Sequence, residues 1–232
     1  MKNYFLLILI IFLAPISFSQ TRFSNLDVFE IQYAKDPQIA PDNSRIVYVR
    51  TKMDIMTDGK ASALWMINAD GKEHQKVTSN TTNESSPRWS PDGKRIVFTS
   101  DRSGTGAPQI YIMDASKGDK GGVKRISFGS SYNDNPAWSP DGDKIAYTAR
   151  VGRRFQIKIY DMKTQTSTVF TKTRGNNEQP SWSPDGRFIA YRHSEGSDTH
   201  IYIQRLGEGK VRQLSFSAGG GTSPSWSPYL IK

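Results

Sequence analysis

The chain has 232 residues, no cysteine and a formal net charge of +9. Without cysteine it has no disulfide, no thiolate metal site and no thiol nucleophile. Its basic residues are scattered along the chain, which favours solubility and attraction to acidic surfaces over a nucleic-acid partner. The length is sufficient for one sizeable hydrophobic core.

Residues 1–19 are predicted to be a signal peptide. Lys2 precedes an apolar run from Tyr4 to Leu13, and the small residues Ser17 and Ser19 stand before Gln20. A basic start, an apolar centre and a small-x-small exit are typical of an exported protein. The apolar run is shorter than the roughly 18 residues that span a membrane, and an uncleaved anchor is the alternative. We therefore expect a periplasmic or secreted protein.

Residues 20–38 are predicted to form a lead-in with one short helix around "SNLDVFEIQY". Ser24 and Asn25 are suitable helix caps, and Asp27 favours the first helical turn. The remaining segment, residues 39–232, contains strand patterns without a linker, which indicates one domain.

One phrase recurs along residues 39–232, as "RWSPDGKRIVF", "AWSPDGDKIAY" and "SWSPDGRFIAY". The prolines that anchor it are Pro41, Pro91, Pro140, Pro184 and Pro228. Their spacings of 50, 49, 44 and 44 residues match the period of β-propeller blades, in which each unit contributes four short strands. The repeats start near residues 39, 89, 138, 182 and 226.

Each unit has a structural explanation. A proline two residues before a tryptophan suits the start of a strand, since it has no N–H to donate. The tryptophans supply large buried areas and define the predicted blade core; they are Trp89, Trp138, Trp182 and Trp226. Ser-Pro-Asp-Gly then predicts a hairpin turn, with glycine at the position of positive φ. Asn43 replaces that glycine in the first unit and tolerates the same backbone.

The pattern predicts an all-β propeller of four complete four-stranded antiparallel blades plus one extra innermost strand. That count leaves the propeller incomplete or open. Open sheet edges favour pairing with another chain, so self-association is an expectation.

The phrase "PxWSPDGxxIAY" with "QIYIMD" downstream resembles the WD40-like repeat called PD40, which is typical of TolB-like propellers. The similarity is strongest from about residue 106 to the final "TSPSWSPYL". The resemblance implies a periplasmic scaffold whose partner is another envelope protein, in that family a peptidoglycan-associated lipoprotein.

Residues 26–78 resemble instead the start of the propeller in secreted S9 peptidases, the prolyl-oligopeptidase-like class. That resemblance implies a propeller that gates a hydrolase domain, here truncated or split from it. A chimera of both propeller types is a third interpretation.

Catalytic, cofactor and metal sites are not predicted. The Gly-x-Ser-x-Gly elbow of an S9-type nucleophile is absent from the sequence. His193 and His200 flank acidic residues in "HSEGSDTH", but a polar hairpin loop explains this run better than a metal site. "DIMTDG", residues 54–59, lacks the ligand spacing of a calcium loop.

The crossovers that precede each repeated proline vary in sequence and are rich in Asn, Asp and Glu. In a propeller they would cluster around one mouth of the central channel, where loops on a rigid scaffold commonly carry function. The candidate protein-binding residues are Asn83, Glu84, Asn133, Asp134, Asn176, Asn177 and Glu178.

Overall fold

The computed structural model describes residues 31–54, 59–79, 82–216 and 220–227. Four four-stranded antiparallel sheets follow one another along the chain, which confirms the four predicted blades. The predicted signal peptide and most of the predicted helix lie outside the described residues. Gln32 and Tyr33, the end of that predicted helix, belong to a strand, so the first blade begins at residue 32 and not near residue 39.

The sixteen strands run from the innermost to the outermost position of each blade. Blade 1 contains β1 (Gln32–Ile39), β2 (Arg45–Asp54), β3 (Gly59–Asn68) and β4 (Gln75–Lys76). Blade 2 contains β5 (Glu84–Trp89), β6 (Arg95–Ser100), β7 (Gln109–Asp114) and β8 (Val123–Arg125), with a 3₁₀ helix at Gly118–Gly121. Blade 3 contains β9 (Asn133–Trp138), β10 (Lys144–Val151), β11 (Arg154–Asp161) and β12 (Thr166–Val169). Blade 4 contains β13 (Asn176–Trp182), β14 (Phe188–Glu195), β15 (Asp198–Arg205) and β16 (Val211–Gln213).

The predicted turns are confirmed by their backbone. Gly93 donates its N–H to Ser90 O at 2.9 Å and has φ of +67°. Asn43 occupies the same position in blade 1 with φ of +59°. Asparagine tolerates this left-handed conformation better than most side chains, which explains why it replaces glycine there.

The innermost strands differ from the prediction in one respect. The repeated proline does not start the strand, because β5 begins at Glu84, three residues before Pro87. The ladder register shifts between Ser85 and Arg88, so the proline lies at a β-bulge. A bulge accommodates a residue without an N–H inside a strand.

A second repeated device lies just after each outermost strand. A hydroxyl there accepts the backbone N–H of a leucine or isoleucine in the third strand, as in Ile110 N to Ser127 Oγ at 2.9 Å. The other three pairs are Leu64 with Thr78, Ile157 with Thr171 and Ile201 with Ser215. This bond fixes where the chain leaves one blade for the next.

The hydrophobic core lies between blades. We call the side of a blade that faces its predecessor the leading face, and the opposite side the trailing face. In blade 2 the leading face is formed by Trp89, Ile96, Phe98, Tyr111 and Met113, which pack against the trailing face of blade 1. Equivalent clusters join blades 2 and 3 and blades 3 and 4.

Each of the four tryptophans in the repeated phrase also donates a hydrogen bond to the preceding blade. Trp138 Nε1 donates to Arg88 O at 3.2 Å, and Trp182 Nε1 donates to Ala137 O at 3.1 Å. Trp226 Nε1 donates to Ser181 O at 3.0 Å. Residues 220–227 therefore occupy the position of a fifth innermost strand, although they form no ladder with the rest of the described chain.

No helix in the described ranges has the length and apolar character needed to cross a membrane.

Candidate functional site: the central channel

The innermost strands surround a cavity of about 700 Å³. All four innermost strands line it, together with the segment around Ser223. Its walls combine the repeated prolines and tryptophans with polar side chains. The cavity is therefore the central channel of the propeller arc.

Five polar residues line this channel at one repeat position, immediately before the bulge proline. They are Asp36, Ser86, Asn135, Gln179 and Ser223. All five have positive φ, from 51° for Asp36 to 55° for Gln179. A left-handed backbone conformation costs a non-glycine residue roughly 1 kcal/mol or more. All five repeats nevertheless keep this unfavourable conformation at this position. We name these five residues the polar ring.

Charge in the channel comes from one ion pair between blades 1 and 2. Arg88 Nη1 donates to both carboxylate oxygens of Asp36, at 2.9 and 2.8 Å. Both side chains are about one-third exposed, so the pair contributes little to stability. Its main effect is to place one positive and one negative group beside the polar ring.

Other members of the ring are oriented by neighbouring blades. The backbone N–H of Gln179 donates to Thr148 Oγ1 at 3.1 Å, and its Oε1 accepts the N–H of Ser223 at 2.9 Å. Ser86 Oγ lies 3.4 Å from Asp134 Oδ1. These contacts pre-organise the ring, because four of its five residues are held by a neighbouring blade, and Asn135 is held by Asp134 of its own strand.

The residues predicted to form binding loops lie elsewhere. Six of the seven belong to strands β5, β9 and β13, and Asn83 alone precedes a strand. Glu84, Asn133 and Asn177 are buried, with at most 1 % of their surface exposed. Their assignment to exposed loops is therefore corrected: these three are buried structural residues, and two of them join neighbouring blades.

Two buried amides perform that structural role in the same way. Asn133 Nδ2 donates to Gln109 Oε1 at 2.8 Å, and Asn177 Nδ2 donates to Gln156 Oε1 at 2.9 Å. Each bond joins an innermost strand to the third strand of the preceding blade. Buried polar groups need such partners, which explains the repetition.

Glu84 occupies the equivalent position in blade 2 and pairs with Arg102, whose Nη2 lies 2.7 Å from Glu84 Oε1. Burial raises the pKa of Glu84, while hydrogen bonds from Thr82 and Arg102 oppose that shift. The guanidinium of Arg102 also lies over the rings of Phe98 and Tyr111. The pair is thus built into the blade core, away from the channel.

The remaining four predicted residues are partly or fully exposed and already paired. Asn83 bonds to Asp101 through its side chain at 3.0 Å. Asp134 accepts the hydroxyl of Thr99 at 2.8 Å, and Asn176 Oδ1 accepts the N–H of Phe155 at 3.0 Å. Glu178 forms an ion pair with Arg192 at 2.7 Å.

The histidine run forms a hairpin, in which His193 pairs with His200 across β14 and β15. His193 Nδ1 lies 2.9 Å from Asn177 Oδ1. In the part of the chain that the structure describes, no group of three or more acidic or histidine side chains is placed to hold a metal ion. Asp54 and Gly59 pair across the hairpin of β2 and β3, and residues 55–58 lie outside the described ranges.

Sequence reasoning missed the polar ring, although a signal for it was present. A polar residue stands directly before the bulge proline in all five phrases. The polar character of this position is constant, but four residue types occupy it in the five repeats, which hides the pattern.

These features define a β-propeller with an open arc of blades around a polar channel. The chain belongs to the family of the TolB β-propeller domain, PD40, whose model matches residues 27–230. TolB from Acinetobacter baumannii has a similar structure, with a TM-score of 0.62 and 25% identity. The alignment covers 85% of this chain and 58% of that one.

The chain is also similar to parts of several peptidases. An uncharacterized peptidase, YuxL of Bacillus subtilis, is 34% identical over 105 residues, which is 45% of this chain and 16% of that protein. The β-propeller domain of the Trilobed protease from Pyrococcus furiosus, described as having an open velcro topology, has a TM-score of 0.58 at 19% identity. That alignment covers 82% of this chain and 58% of the other chain. The chain thus spans less than two thirds of these relatives, and only the propeller portion is shared.

Proposed function

We propose that this protein is a non-catalytic scaffold of the cell envelope that binds a partner protein at the central channel. The polar ring is the observation that carries the proposal. Five side chains converge on one cavity of about 700 Å³ while keeping an unfavourable backbone. Strain retained at a concave surface is typical of functional sites.

The chemistry of the channel suits a polypeptide loop. Hydroxyl and amide groups of Ser86, Asn135 and Gln179 both donate and accept hydrogen bonds, as a peptide backbone does. The Arg88–Asp36 pair offers one group of each sign to a polar side chain. Proline and tryptophan walls supply apolar contact between these polar groups.

The proposed location follows from the predicted signal peptide and from the similarity to TolB. A Tol-Pal system protein TolB of Roseobacter denitrificans is 34% identical over 85 residues, which is 35% of this chain and 18% of that protein. By that resemblance the partner is an envelope protein, of the peptidoglycan-associated lipoprotein type.

Site-specific photo-crosslinking tests this proposal. A photoreactive residue at position 179, in the polar ring, is expected to capture one defined envelope protein in the native host. The matched control carries it at Lys163, on an exposed turn at the outer rim. Arg88→Ala and Asn135→Ala should each weaken binding of the captured protein. If position 179 gives no adduct beyond the Lys163 control, the channel is not the binding site.

A second candidate function is gating of a serine peptidase domain. The similarity to YuxL and to dipeptidyl-peptidase 5 of Porphyromonas gingivalis, which is 34% identical over 67 residues, supports it. Labelling the natural gene product with a fluorophosphonate discriminates the two functions. A labelled serine in a Gly-x-Ser-x-Gly context favours the peptidase, and an unlabelled product favours the scaffold.

A further inference from the structure

A second concave site lies at the outer rim, between blades 3 and 4 and away from the channel. It is a groove of about 630 Å³. The trailing face of blade 3 forms one wall, with Ile159, Thr168 and Phe170. Blade 4 forms the other wall with Gln204 and Val211. Its floor is continuous with the apolar cluster that joins the two blades.

Gln204 contributes a buried hydrogen-bond acceptor to this groove that has no partner in the described part of the chain. Its side chain is 6% exposed, and Nε2 donates to Glu208 O at 2.9 Å. Because that carbonyl requires a donor, Oε1 is fixed as the remaining acceptor. Oε1 is buried and has no hydrogen-bond partner among the described residues. A buried acceptor without a partner is costly and calls for an external donor.

The repeat shows that a polar residue here is an exception. Gln204 lies in the cross-strand row of Ile189 and Val211 on the leading face of blade 4. The same position holds Met113 in blade 2 and Tyr160 in blade 3. Both are buried and belong to the hydrophobic clusters of their junctions. Blade 4 alone among the three interior junctions presents an amide.

The other two junctions are each bridged at the rim by a contact of the chain itself, although a smaller groove of about 460 Å³ also lies on the trailing face of blade 2. Between blades 1 and 2, the 3₁₀ helix brings Asp119 N within 2.9 Å of Val77 O. Between blades 2 and 3, Lys124 Nζ donates to Gln165 Oε1 at 2.7 Å. The turn between β15 and β16 lines the third junction, and the groove there stays open. A peptide N–H thus already closes an equivalent junction within this molecule.

We propose that this groove binds an extended segment of a partner protein. The segment donates a backbone N–H to Gln204 Oε1 and lays an apolar side chain on Ile159 and Phe170. β12 is the outermost strand of its sheet, so its free edge is available for pairing with that segment. Addition of a strand to a sheet edge, with pockets for alternate side chains, is a recurring mode of peptide recognition.

The groove favours a peptide over an ion or a sugar. Its rim carries both Lys172 and Glu208, so it has no single sign of charge for an ion. Its floor is aliphatic apart from Phe170, and Gln204 is one planar polar group where a sugar ring requires several. An extended peptide matches one buried acceptor, an apolar floor and a free strand edge together.

A library of random twelve-residue peptides displayed on phage, selected on the full chain, tests the proposal. We expect recovery of a related set of peptides with alternating apolar residues. Gln204→Leu should weaken a selected peptide by about tenfold, the loss of one buried hydrogen bond. Gln179→Ala in the channel should leave that affinity unchanged, which separates this site from the proposed channel function.

Hydrogen exchange on the unaltered protein gives a second, independent measurement. A bound selected peptide should protect the amides of Thr166–Val169. Three outcomes would overturn the proposal: no related peptides, unchanged affinity in folded Gln204→Leu, or protection confined to the innermost strands. A peptide that proves to match residues 228–232 or another part of this chain would also overturn it, since the occupant would then be the chain itself.

Discussion

The leading faces of blades 1 and 2 have nearly the same chemistry but differ in burial. In blade 2 the face comprises Trp89, Ile96, Phe98, Tyr111 and Met113, all buried. The equivalent residues of blade 1 are Ile39, Ile46, Tyr48, Trp65 and Ile67. Ile39 is 63% exposed where Trp89 is 8% exposed. No described residues precede blade 1 to cover its face.

This difference shows where the stability of the molecule resides. The strands within a blade bond to one another in both cases, and the apolar patterns agree. Only the blade with a neighbour buries its leading face. Most hydrophobic stabilisation therefore arises between blades, in proportion to apolar area removed from water.

The largest expected effect on stability comes from removing one aromatic ring from the leading face, in blade 2 and then in blade 1. Phe98→Ala deletes a fully buried ring between blades 1 and 2 and should lower the free energy of unfolding by about 3–5 kcal/mol. Tyr48→Ala removes the half-buried equivalent in blade 1, and its cost should be less than half as large. Urea denaturation of both variants measures the ratio. Equal losses would show that blade 1 is covered in solution.

The tryptophan bonds allow a finer version of the same comparison. Trp138→Phe keeps an aromatic ring between blades 2 and 3 but removes the Nε1 bond to Arg88 O. We expect a loss of about 1–3 kcal/mol, because the change leaves the partly buried Arg88 carbonyl with one hydrogen-bond partner fewer. Trp226→Phe removes the equivalent bond at the more exposed last phrase, where water replaces it. Thermal unfolding should therefore shift clearly for Trp138→Phe and little for Trp226→Phe.

Substitutions in the turns should give a smaller difference in stability between blade 1 and a blade that has a preceding neighbour. Gly142→Ala forces a Cβ onto a residue with φ of +74° and should cost about 1–2 kcal/mol. Asn43→Gly relaxes the equivalent turn in blade 1 and should change stability by only a few tenths of a kcal/mol. A destabilisation by Asn43→Gly as large as that by Gly142→Ala would contradict the turn assignment.

Acidification should produce the smallest effect, at the junction of blades 3 and 4. Burial lowers the pKa of His193, and nearby His200 acts in the same direction against Glu195. The folded state thus prefers the neutral ring, so the unfolding free energy is highest above the ordinary pKa of about 6.5 and falls as pH drops below it. His193→Gln should flatten this part of the stability profile between pH 7 and 5. An unchanged slope would exclude His193 as its source.

Sequence reasoning recovered the features that repeat with constant residue types. The tryptophans, the Ser-Pro-Asp-Gly turns and the count of four blades are all present. The last phrase also docks where a fifth innermost strand would lie, through Trp226. Local turn chemistry and periodicity determine these features, and a single chain displays both.

Features set by contacts between blades were not predictable in the same way. Asn133 and Asn177 resemble polar loop residues in sequence, yet each is buried on a glutamine of the preceding blade. The equivalence of Gln204 with Met113 and Tyr160 becomes visible only when the blades are aligned by their strand register. The innermost strands begin before the repeated proline and not at it. The bulge that accommodates the proline depends on pairing with the next strand and not on local propensity, so the sequence did not predict it.

The tryptophan hydrogen bonds also show that the blade, which is the folding unit, need not be the segment of sequence that is duplicated. Each Nε1 donor reaches the residue just before the equivalent position of the previous repeat, as Trp182 reaches Ala137. A segment cut from one tryptophan to the next, such as residues 139–182, can be removed or copied while every remaining donor still meets an acceptor. A gene encoding such a chain can therefore lengthen or shorten by whole repeats while this one hydrogen bond is kept at every junction, and only the side chains that meet there have to adapt.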